Sequence, residues 1–383
     1  MTIYVRIFIY SPQHCPVLKR FVVISESGIE QFRAPLRGSS FCPKPCGTAS
    51  RGEGACQSKG RITLHRLPIR LLRFLAPAIF VMSTLPVHAQ QPVVQSSDFK
   101  VVTADGVSIH FHRKVGPAPN KIPVLLIHGT WGDDRTWDFP DRSVMDHLAV
   151  RGYNVYALDL RGMGTSDHPA NYFTIDILNR VNDAAAVATY IVTTTGRAPV
   201  VMGWSQGGVI TGLLAASAPQ LVAGVGFFSV PEDGFFVPPP FVPLLQSVVN
   251  SGVDRFLPTP DEIYAIAFGF DPITGQPTMS ADAFLTFVSI SESDSVRALG
   301  EEVTPAFFDA ALVPAWPKIH VPALVVDGAL DPLVGTDRAQ ALFNALGSTN
   351  KQLVIFPRNS HGWFLEDNHD ANLRVVDRFL TQF

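Results

Sequence analysis

The sequence predicts an α/β protein built on a parallel sheet whose strands are buried on both sides. Short, uniformly apolar runs such as residues 122–127 and 153–158 alternate with longer helical patterns. Strands that alternate with helices in this way pair in parallel, and the helices cover both faces of the sheet. Polar, glycine-marked loops follow several of the runs, and residues 203–207 read Gly-Trp-Ser-Gln-Gly between a strand and a helix. These loops are the candidate positions of functional residues.

Composition limits the class of protein. The chain has 383 residues, of which 46% are hydrophobic, and a formal net charge of −3. A large core is therefore possible, and the near-neutral charge argues against a nucleic-acid-binding surface. Cys42 and Cys46 have a spacing near that of zinc ligands, but no second pair follows, so we expect no thiolate metal site. All four cysteines lie in the N-terminal part of the chain: Cys15, Cys42, Cys46 and Cys56.

The N-terminal part reads differently from the rest. Residues 1–60 show no sustained helical or strand period, and we expect an unstructured extension there. Residues 61–89 resemble a signal peptide, since arginines precede an apolar run and Val-His-Ala ends at Ala89. The apolar run is short for a bilayer span, and a short buried helix is the alternative. We therefore expect cleavage after Ala89, a secreted or periplasmic protein without a stable membrane anchor, and translation starting near residue 60.

The first part of the core is predicted over residues 97–230. Residues 99–103 and 107–112 alternate around Asp105-Gly106 and predict a hairpin. The remaining apolar runs predict strands, and the longer patterns between them predict helices. The expected strands are 122–127, 153–158, 199–204 and 222–228, and the expected helices are 142–151, 175–194 and one that begins after Ser205.

The alternation stops at residue 231. Residues 231–313 are rich in Pro and Phe and contain no strand–helix unit, so we interpret them as a cap inserted after the sixth strand. The alternation returns in residues 314–383, with strands at 323–326 and 352–356 and helices at 336–346 and from about 366. An open α/β sheet places its ligand crevice at the carboxyl ends of its strands. The candidate substrate-binding residues are accordingly the aromatic side chains Trp131, Trp204, Phe235 and Phe241.

Ser205 is the candidate nucleophile. It lies between Gly203 and Gly207 in the pattern Gly-x-Ser-x-Gly. A serine at the tip of a sharp strand-to-helix turn has a strained backbone, and side chains two residues away on either side would crowd it. The helix that begins there directs its amides at the place where negative charge develops during acyl transfer. A plain turn is the alternative interpretation.

A base and an orienting carboxylate follow later in the chain. Asp331 and His361 both lie in loops after predicted strands, as Ser205 does, so the sheet edge can bring the three together. Their chain order, Ser then Asp then His, is that of Ser-His-Asp enzymes built on such sheets. Glu232 or Asp233, which follow the preceding strand, are alternative sources of the acid.

Other polar residues near these loops are given structural roles. Asp327 lies at the strand end itself and is expected to be structural. His369 falls within the last predicted helix and is expected to be solvated, and His320 precedes a strand, at the opposite end of the sheet. These residues therefore stay outside the candidate triad.

Five motifs in this order resemble those of the α/β-hydrolase superfamily, over about residues 98–383. They are His128-Gly129-Thr130-Trp131-Gly132, Asp159-Leu160-Arg161-Gly162-Met163-Gly164-Thr165-Ser166, Gly203-Trp204-Ser205-Gln206-Gly207-Gly208, Asp331-Pro332-Leu333-Val334 and Ser360-His361-Gly362. The resemblance implies the α/β-hydrolase fold, with a mostly parallel eight-stranded sheet and helices on both faces. It also implies an oxyanion hole formed by the amides of Thr130 and Gln206, with Trp131 as the substitute donor. His128 is then expected to shape its loop rather than act as a base.

The same resemblance indicates a reaction class. Dehalogenases and many epoxide hydrolases of the superfamily use an aspartate where this chain has Ser205, so acyl transfer is favoured. We expect a serine hydrolase that cleaves a carboxylic ester or lactone of a medium-sized apolar small molecule, with no cofactor or metal in the reaction. An amide hydrolase of the proline-iminopeptidase type is the alternative, since acidic residues of the insertion would bind a substrate amine: Glu232, Asp233, Asp254, Asp261 and Glu262. The second alternative is a member of the fold that binds a ligand without catalysing a reaction.

Overall fold

The computed structural model describes three short N-terminal strands, residue 250, and residues 93–130, 132–234, 268–271, 273–293 and 315–383. It divides the chain into two compact units, Met1–Gln90 and Gln91–Phe383. The finer boundaries predicted at residues 97, 230, 313 and 314 stay predictions. So do the signal peptide over residues 61–89 and the translation start near residue 60, which lie outside the described residues.

The first unit contains a small antiparallel sheet. Strands β1 (Ile3–Arg6), β2 (Arg20–Ser25) and β3 (Gly28–Arg33) pair in the order β1-β2-β3. The sequence pattern predicts no regular structure for residues 1–60, and these three strands correct that prediction. The physical reason is local, because the β2 segment Phe-Val-Val-Ile consists of β-branched and aromatic residues that favour extended backbone.

The second unit is built on one eight-stranded sheet with the strand order β11-β10-β9-β8-β6-β7-β5-β4. The pairs from β6 to β11 are parallel, whereas β5 pairs antiparallel with both β4 and β7 at one edge. The strands are β4 (Gln95–Val102), β5 (Ser108–Val115), β6 (Pro123–Ile127), β7 (Asn154–Leu158), β8 (Val200–Trp204), β9 (Gly224–Phe228), β10 (Ala323–Gly328) and β11 (Lys351–Phe356). This confirms the predicted mostly parallel eight-stranded sheet.

Helices cover both faces of this sheet. The described helices are α1 (Val144–Ala149), α2 (Ile177–Thr195), α3 (Gln206–Ser217), α4 (Ala281–Ser293), α5 (Gly335–Ala345), α6 (His369–Asn372) and α7 (Arg374–Leu380). Alternate residues of one strand enter different cores, because successive side chains of a strand point to opposite faces. Leu126 of β6 packs in the core that contains α1 and α7, and Leu125 packs in the core that contains α2, α3 and α5. Among the described helices, none is long and apolar enough to cross a membrane.

Two elements differ from their predicted form. The last helix, expected from about residue 366, begins at His369 and is divided at Leu373 into α6 and α7. The delay has a cause in the preceding loop, where the side chain of Glu366 accepts hydrogen bonds from Ser360 and Asn359. The predicted cap over residues 231–313 follows the sixth strand of the sheet, β9, and its described part contains α4.

Candidate active site

Ser205 occupies the turn between β8 and α3 with a φ of 55° and a ψ of −126°. This left-handed backbone is strained for a residue with a side chain, and it persists only where neighbouring groups hold it. The Ser205 amide donates to the carbonyl of Phe228 in β9 at 2.9 Å, and the Ser205 carbonyl accepts from the Gly208 amide at 2.9 Å. The turn therefore has the geometry expected of a nucleophile elbow.

The two glycines of the motif are required by close backbone packing. A Cβ atom on Gly203 would lie 2.1 Å from the carbonyl oxygen of Gly207. A Cβ atom on Gly207 would lie 2.3 Å from the carbonyl oxygen of Ile127, at the end of β6. A side chain at either position would push α3 away from the sheet, so the predicted reason for these glycines is confirmed.

His361 and Asp331 form a buried pair at the carboxyl ends of β10 and β11. The Nδ1 atom of His361 lies 2.7 Å from Oδ2 of Asp331, and both side chains are almost completely buried. The other carboxylate oxygen of Asp331 accepts from the amides of Leu333 at 2.7 Å and Val334 at 3.0 Å. Burial opposes ionisation, but the charge and hydrogen bond of His361 lower the pKa of Asp331. The imidazole thus faces a charged, fixed carboxylate.

Trp204 joins this pair to the serine turn. Its Nε1–H donates to the carbonyl oxygen of His361 at 2.8 Å, and the two rings lie 5.5 Å apart. Trp204 directly precedes Ser205, so this bond ties the histidine loop to the strand that ends at the serine. The structure thus shows a structural contact for Trp204. Its predicted contact with substrate stays a prediction.

Of the two alternative acids, Asp233 has another side-chain partner. Asp233 forms an ion pair with Arg338, and the backbone carbonyl of Glu232 accepts from Trp316 Nε1 at 2.7 Å. His361 Nδ1 instead meets Asp331. The geometry therefore favours Asp331 as the carboxylate that orients the imidazole.

Asp327, expected to be structural, is a buried carboxyl group at the end of β10. One of its oxygens accepts from the Gly328 amide at 2.9 Å, and its side chain lies within hydrogen-bonding reach of Asp331 and Ser229. Burial and the nearby charge of Asp331 raise the pKa of Asp327 to about 9. Asp327 is therefore a neutral acid beside the charged Asp331 at neutral pH.

The predicted oxyanion donors flank the serine turn. Gln206 is the first residue of α3, and the amides of a helical first turn have no acceptor within the helix. On the other side, Gly129 approaches so closely that a Cβ atom there would lie 3.0 Å from Cβ of Ser205. Thr130, which follows Gly129, is buried. The start of α3 and the loop that contains Gly129, which carry the predicted donors, thus meet at Ser205.

Arg180 is a buried cation behind this region that the sequence reasoning missed. Its Nη1 donates to Oε1 of Gln206 at 2.9 Å, and its Nη2 donates to the carbonyl oxygen of Arg161 at 3.3 Å. The bond to Oε1 holds the side chain of Gln206 against α2. The sequence feature that could have indicated its burial is that Arg180 occupies an otherwise apolar position in the pattern of this helix.

His128 has the predicted structural function. Its ring is completely buried, and burial lowers its pKa to about 4. Nδ1 lies 2.7 Å from the carbonyl oxygen of Gly129, and Nε2 accepts from the Leu160 amide at 3.1 Å. Both ring nitrogens are therefore used to join two loops. Of the two histidines left outside the candidate triad, His320 is exposed and lies 3.2 Å from the carbonyl oxygen of Gly347. The side chain of His369, expected to be solvated, is only 15% exposed because it packs 3.2 Å from the carbonyl oxygen of Glu366.

Glu366 is a second buried charged residue that the sequence did not reveal. Its Oε1 accepts from the amide of Ser360 at 2.8 Å and from the Ser360 hydroxyl, and its Oε2 accepts from Nδ2 of Asn359 at 2.6 Å. Burial raises the pKa of Glu366. Because Ser360 directly precedes His361, we regard Glu366 as a positioning residue for the histidine loop.

Aromatic side chains of the described cap pack over Trp204. The ring of Phe287 in α4 lies 6.0 Å from that of Trp204, and Phe268 lies 5.3 Å from Phe287. The other three predicted substrate-binding residues, Trp131, Phe235 and Phe241, lie outside the described residues. The described part of the cap therefore contributes an apolar layer beside the histidine loop.

A comparison with known families and proteins identifies the family and the fold of the chain. The family model described as "Alpha/beta hydrolase family" matches residues 124–375, more than half of the chain. The human protein named Serine hydrolase BPHL is 25% identical over 317 residues, which cover 81% of this chain and 92% of that protein. A triacylglycerol lipase of Pseudarthrobacter phenanthrenivorans is 32% identical over 120 residues, which cover 30% of this chain and 35% of that one.

Solved structures agree in fold. An esterase from Exiguobacterium antarcticum superposes with a TM-score of 0.58 at 18% identity and covers 74% of this chain and 98% of its own. A putative aryl esterase from Burkholderia cenocepacia superposes with a TM-score of 0.53 at 24% identity, covering 75% of this chain and 100% of its own. At these identities the likeness concerns the fold.

Proposed function

The chain belongs to the alpha/beta hydrolase family, and from this premise we propose that it is a serine hydrolase that cleaves a carboxylic ester or lactone through an acyl-enzyme. The observation that carries the proposal is the buried hydrogen bond of 2.7 Å between His361 and Asp331, on the loop tied by Trp204 to the strained turn at Ser205. A charged carboxylate that orients an imidazole beside a serine is the arrangement that acyl transfer requires.

The proposed reaction assigns one role to each group. Because Nδ1 of His361 is engaged with Asp331, Nε2 is the nitrogen that would take the proton of Ser205 as its oxygen attacks the carbonyl carbon. Asp331 would stabilise the resulting imidazolium, which then protonates the leaving alcohol. Water, activated by the same nitrogen, would attack the acyl-enzyme and release the acid. The amides of Gln206 and Thr130 would bind the oxyanion, and one such donor lowers the barrier by about 2.7–4 kcal/mol.

For the substrate we propose a medium-sized apolar small molecule. Phe268 and Phe287 are fully buried in the core, and Phe284 packs against them, so these rings hold the described cap on the sheet. The support for an apolar substrate is the Phe- and Pro-rich sequence of residues 235–241, since burying apolar surface contributes about 25 cal/mol per Å². Phe235 and Phe241 are proposed to line the crevice. The amide-hydrolase alternative has less support, because Asp233, one of the acids that would bind an amine, is already paired with Arg338.

The protein is further proposed to be secreted or periplasmic, with a mature N-terminus at Gln90. The support is the signal-like sequence of residues 61–89. Mass spectrometry of the naturally produced protein tests this directly. Peptides from residues 61–89 in the mature protein would contradict it.

The central test compares two serines in the full chain. Ser205→Ala should abolish hydrolysis of a short-chain aryl ester and labelling by a fluorophosphonate. Ser229→Ala is the matched control, because Ser229 is also buried, also has a positive φ of 54°, and lies at the end of the neighbouring strand β9. This control should keep both activities. Labelling or hydrolysis retained by Ser205→Ala would refute the proposed nucleophile, and a panel of esters, lactones and aminoacyl arylamides distinguishes the bond that is cleaved.

A further inference from the structure

A second cluster of polar side chains lies on strands β4 and β5, at the antiparallel edge of the sheet. His110 and His112 are two residues apart in β5, so both side chains project from the same face. Asp98 is paired in register with His112 across β4 and β5. Oδ1 of Asp98 lies 2.8 Å from Nδ1 of His112 and 3.1 Å from Nε2 of His110. Two imidazole nitrogens thus converge on one carboxylate oxygen.

A second carboxylate reaches this cluster from the loop after β6. An oxygen of Asp134 lies within 4.8 Å of ligand atoms of both Asp98 and His112, and Oδ2 of Asp134 lies 3.8 Å from Nδ1 of His110. The Asp134 side chain is only 14% exposed. Among the described residues, no hydrogen bond to its carboxylate is found, although its backbone amide donates to Asp159 at 2.8 Å. A nearly buried carboxylate without a donor is costly, and a cation would remove that cost.

Neighbouring groups hold the two rings in fixed orientations. Nδ1 of His110 lies 2.8 Å from Oδ2 of Asp159, a buried carboxylate that also accepts from the Thr165 amide at 2.8 Å. Nε2 of His112 lies 2.8 Å from the hydroxyl of Ser96. Each ring therefore has one nitrogen fixed by an outer partner and the other directed at Asp98. A carboxylate or hydroxyl that orients the far side of an imidazole is a regular feature of metal-binding histidines.

We propose that Asp98, His112 and Asp134 bind a divalent transition-metal ion of the zinc class, while His110 stays outside the ligand set as a hydrogen-bond partner of Asp98. Imidazole nitrogen and carboxylate oxygen are the donors that such ions take, whereas calcium and magnesium favour oxygen alone. Asp98 is 68% exposed, so the ion can reach the site from solvent. The sequence predicts no metal in the reaction and no thiolate site, and this site contradicts neither prediction, because it uses no cysteine and lies outside the triad.

The bound ion would connect three segments of the chain. Asp98 belongs to β4, His112 belongs to β5, and Asp134 begins the 3-10 turn Asp134–Thr136. That turn follows the Gly129-Thr130 loop, which carries one of the predicted oxyanion donors. The ion is therefore expected to stabilise the sheet edge and the start of this loop, with no role in the bond-making steps.

The test is calorimetric titration of the full chain with Zn²⁺. All proteins carry Cys42→Ser and Cys46→Ser, so that this thiol pair contributes nothing to the signal. We expect one high-affinity Zn²⁺ per chain, and binding weakened by about tenfold or more in Asp98→Asn, since even an outer partner of a metal ligand contributes about 10- to 100-fold in affinity. His112→Ala should have the same effect. His320→Ala, which removes an exposed imidazole remote in sequence from the cluster, should leave the affinity unchanged.

Two further readouts decide the result. Zn²⁺ should raise the Tm of the parent and of His320→Ala but not that of Asp98→Asn, because only a ligand of the folded state stabilises it. Asp98→Asn is a safe variant, since the side chain is mostly exposed and the substitution preserves its size. Equal Zn²⁺ affinity in the parent and Asp98→Asn, or only millimolar binding in the parent, would overturn the proposal.

Discussion

Two histidine–aspartate pairs in the described part of the chain have nearly the same local geometry but different surroundings. His361 Nδ1 lies 2.7 Å from Asp331, and His110 Nδ1 lies 2.8 Å from Asp159. In both pairs the carboxylate is buried, and the histidine lowers the pKa of the aspartate although burial opposes this. The pair itself therefore does not identify a catalytic site.

The difference lies in what surrounds the rest of each imidazole. Nε2 of His110 lies 3.1 Å from the carboxylate of Asp98. Burial opposes protonation of His110, but the hydrogen bond and charge of Asp159 raise its pKa. A ring held between two carboxylates keeps both protons and is a poor general base. His361 instead lies on a loop bonded through Trp204 to the serine turn, so a histidine–aspartate pair gains a candidate chemical role from its third partner.

The largest effect is expected from the same substitution in both pairs. Asp331→Asn should lower kcat/KM for an aryl ester by about 10⁴-fold, because the imidazole loses its orientation and the charge that stabilises it. Asp159→Asn should instead lower the free energy of unfolding by about 3–5 kcal/mol, since it leaves the charge of His110 poorly compensated. Per folded molecule, its kcat/KM should change little. Steady-state kinetics and urea unfolding of both variants measure the contrast.

Equal losses of kcat/KM in the two variants would break the comparison. It would also fail if Asp331→Asn lost stability and kept its activity, because Asp331 would then be the structural member. The contrast between the two readouts is needed, since a decrease in total activity alone does not separate poor folding from poor chemistry.

The triad candidates were predictable because each depends on a local pattern. Ser205, Asp331 and His361 each follow an apolar strand within a short motif, and the carboxyl ends of parallel strands share one edge of the sheet. The pair of His110 and Asp159 was not predictable in this way. Their contact depends on the antiparallel pairing of β5 with β7, in which Phe111 lies opposite Leu158. No local pattern specifies that long-range pairing.

Buried charges were missed for a related reason. Arg180 and Glu366 are both buried, although charged residues are usually exposed and a sequence pattern assigns them to the surface. Their burial is explained only by partners from other segments, Gln206 for Arg180 and Ser360 for Glu366. The core strands, by contrast, were predicted to within a few residues, because their apolar runs carry the information locally.

An intermediate effect, dependent on pH, is expected at the carboxyl group beside the triad pair. The folded protein holds a proton on Asp327 up to about pH 9, whereas the unfolded chain releases it near pH 4. Between these values the folded state binds more protons, so this group makes the free energy of unfolding fall as the pH rises, by at most about 1.4 kcal/mol per pH unit. Asp327→Asn has no such proton, and its advantage over the wild type should grow with pH.

Urea unfolding at about pH 5, 7 and 9 measures this advantage. The matched control is Asp233→Asn, which makes the same substitution at a half-exposed carboxylate. A difference between Asp327→Asn and the wild type that stays constant with pH would mean that Asp327 is ionised in the folded protein. Asp331 would then lie beside a second charge, and the contrast between the two histidine–aspartate pairs would need another explanation.

The smallest effect is expected at Asp233, the alternative source of the acid. Its partner is Arg338, and both side chains are partly exposed, so the ion pair should contribute about 1 kcal/mol or less to stability. Asp233→Asn should therefore leave kcat/KM nearly unchanged. Arg338→Gln is the matched variant, because it breaks the same ion pair and keeps the carboxylate. If Asp233→Asn lost activity on the scale of Asp331→Asn while Arg338→Gln did not, the carboxylate itself would be required, and the acid assigned to His361 would have to move from Asp331 to Asp233.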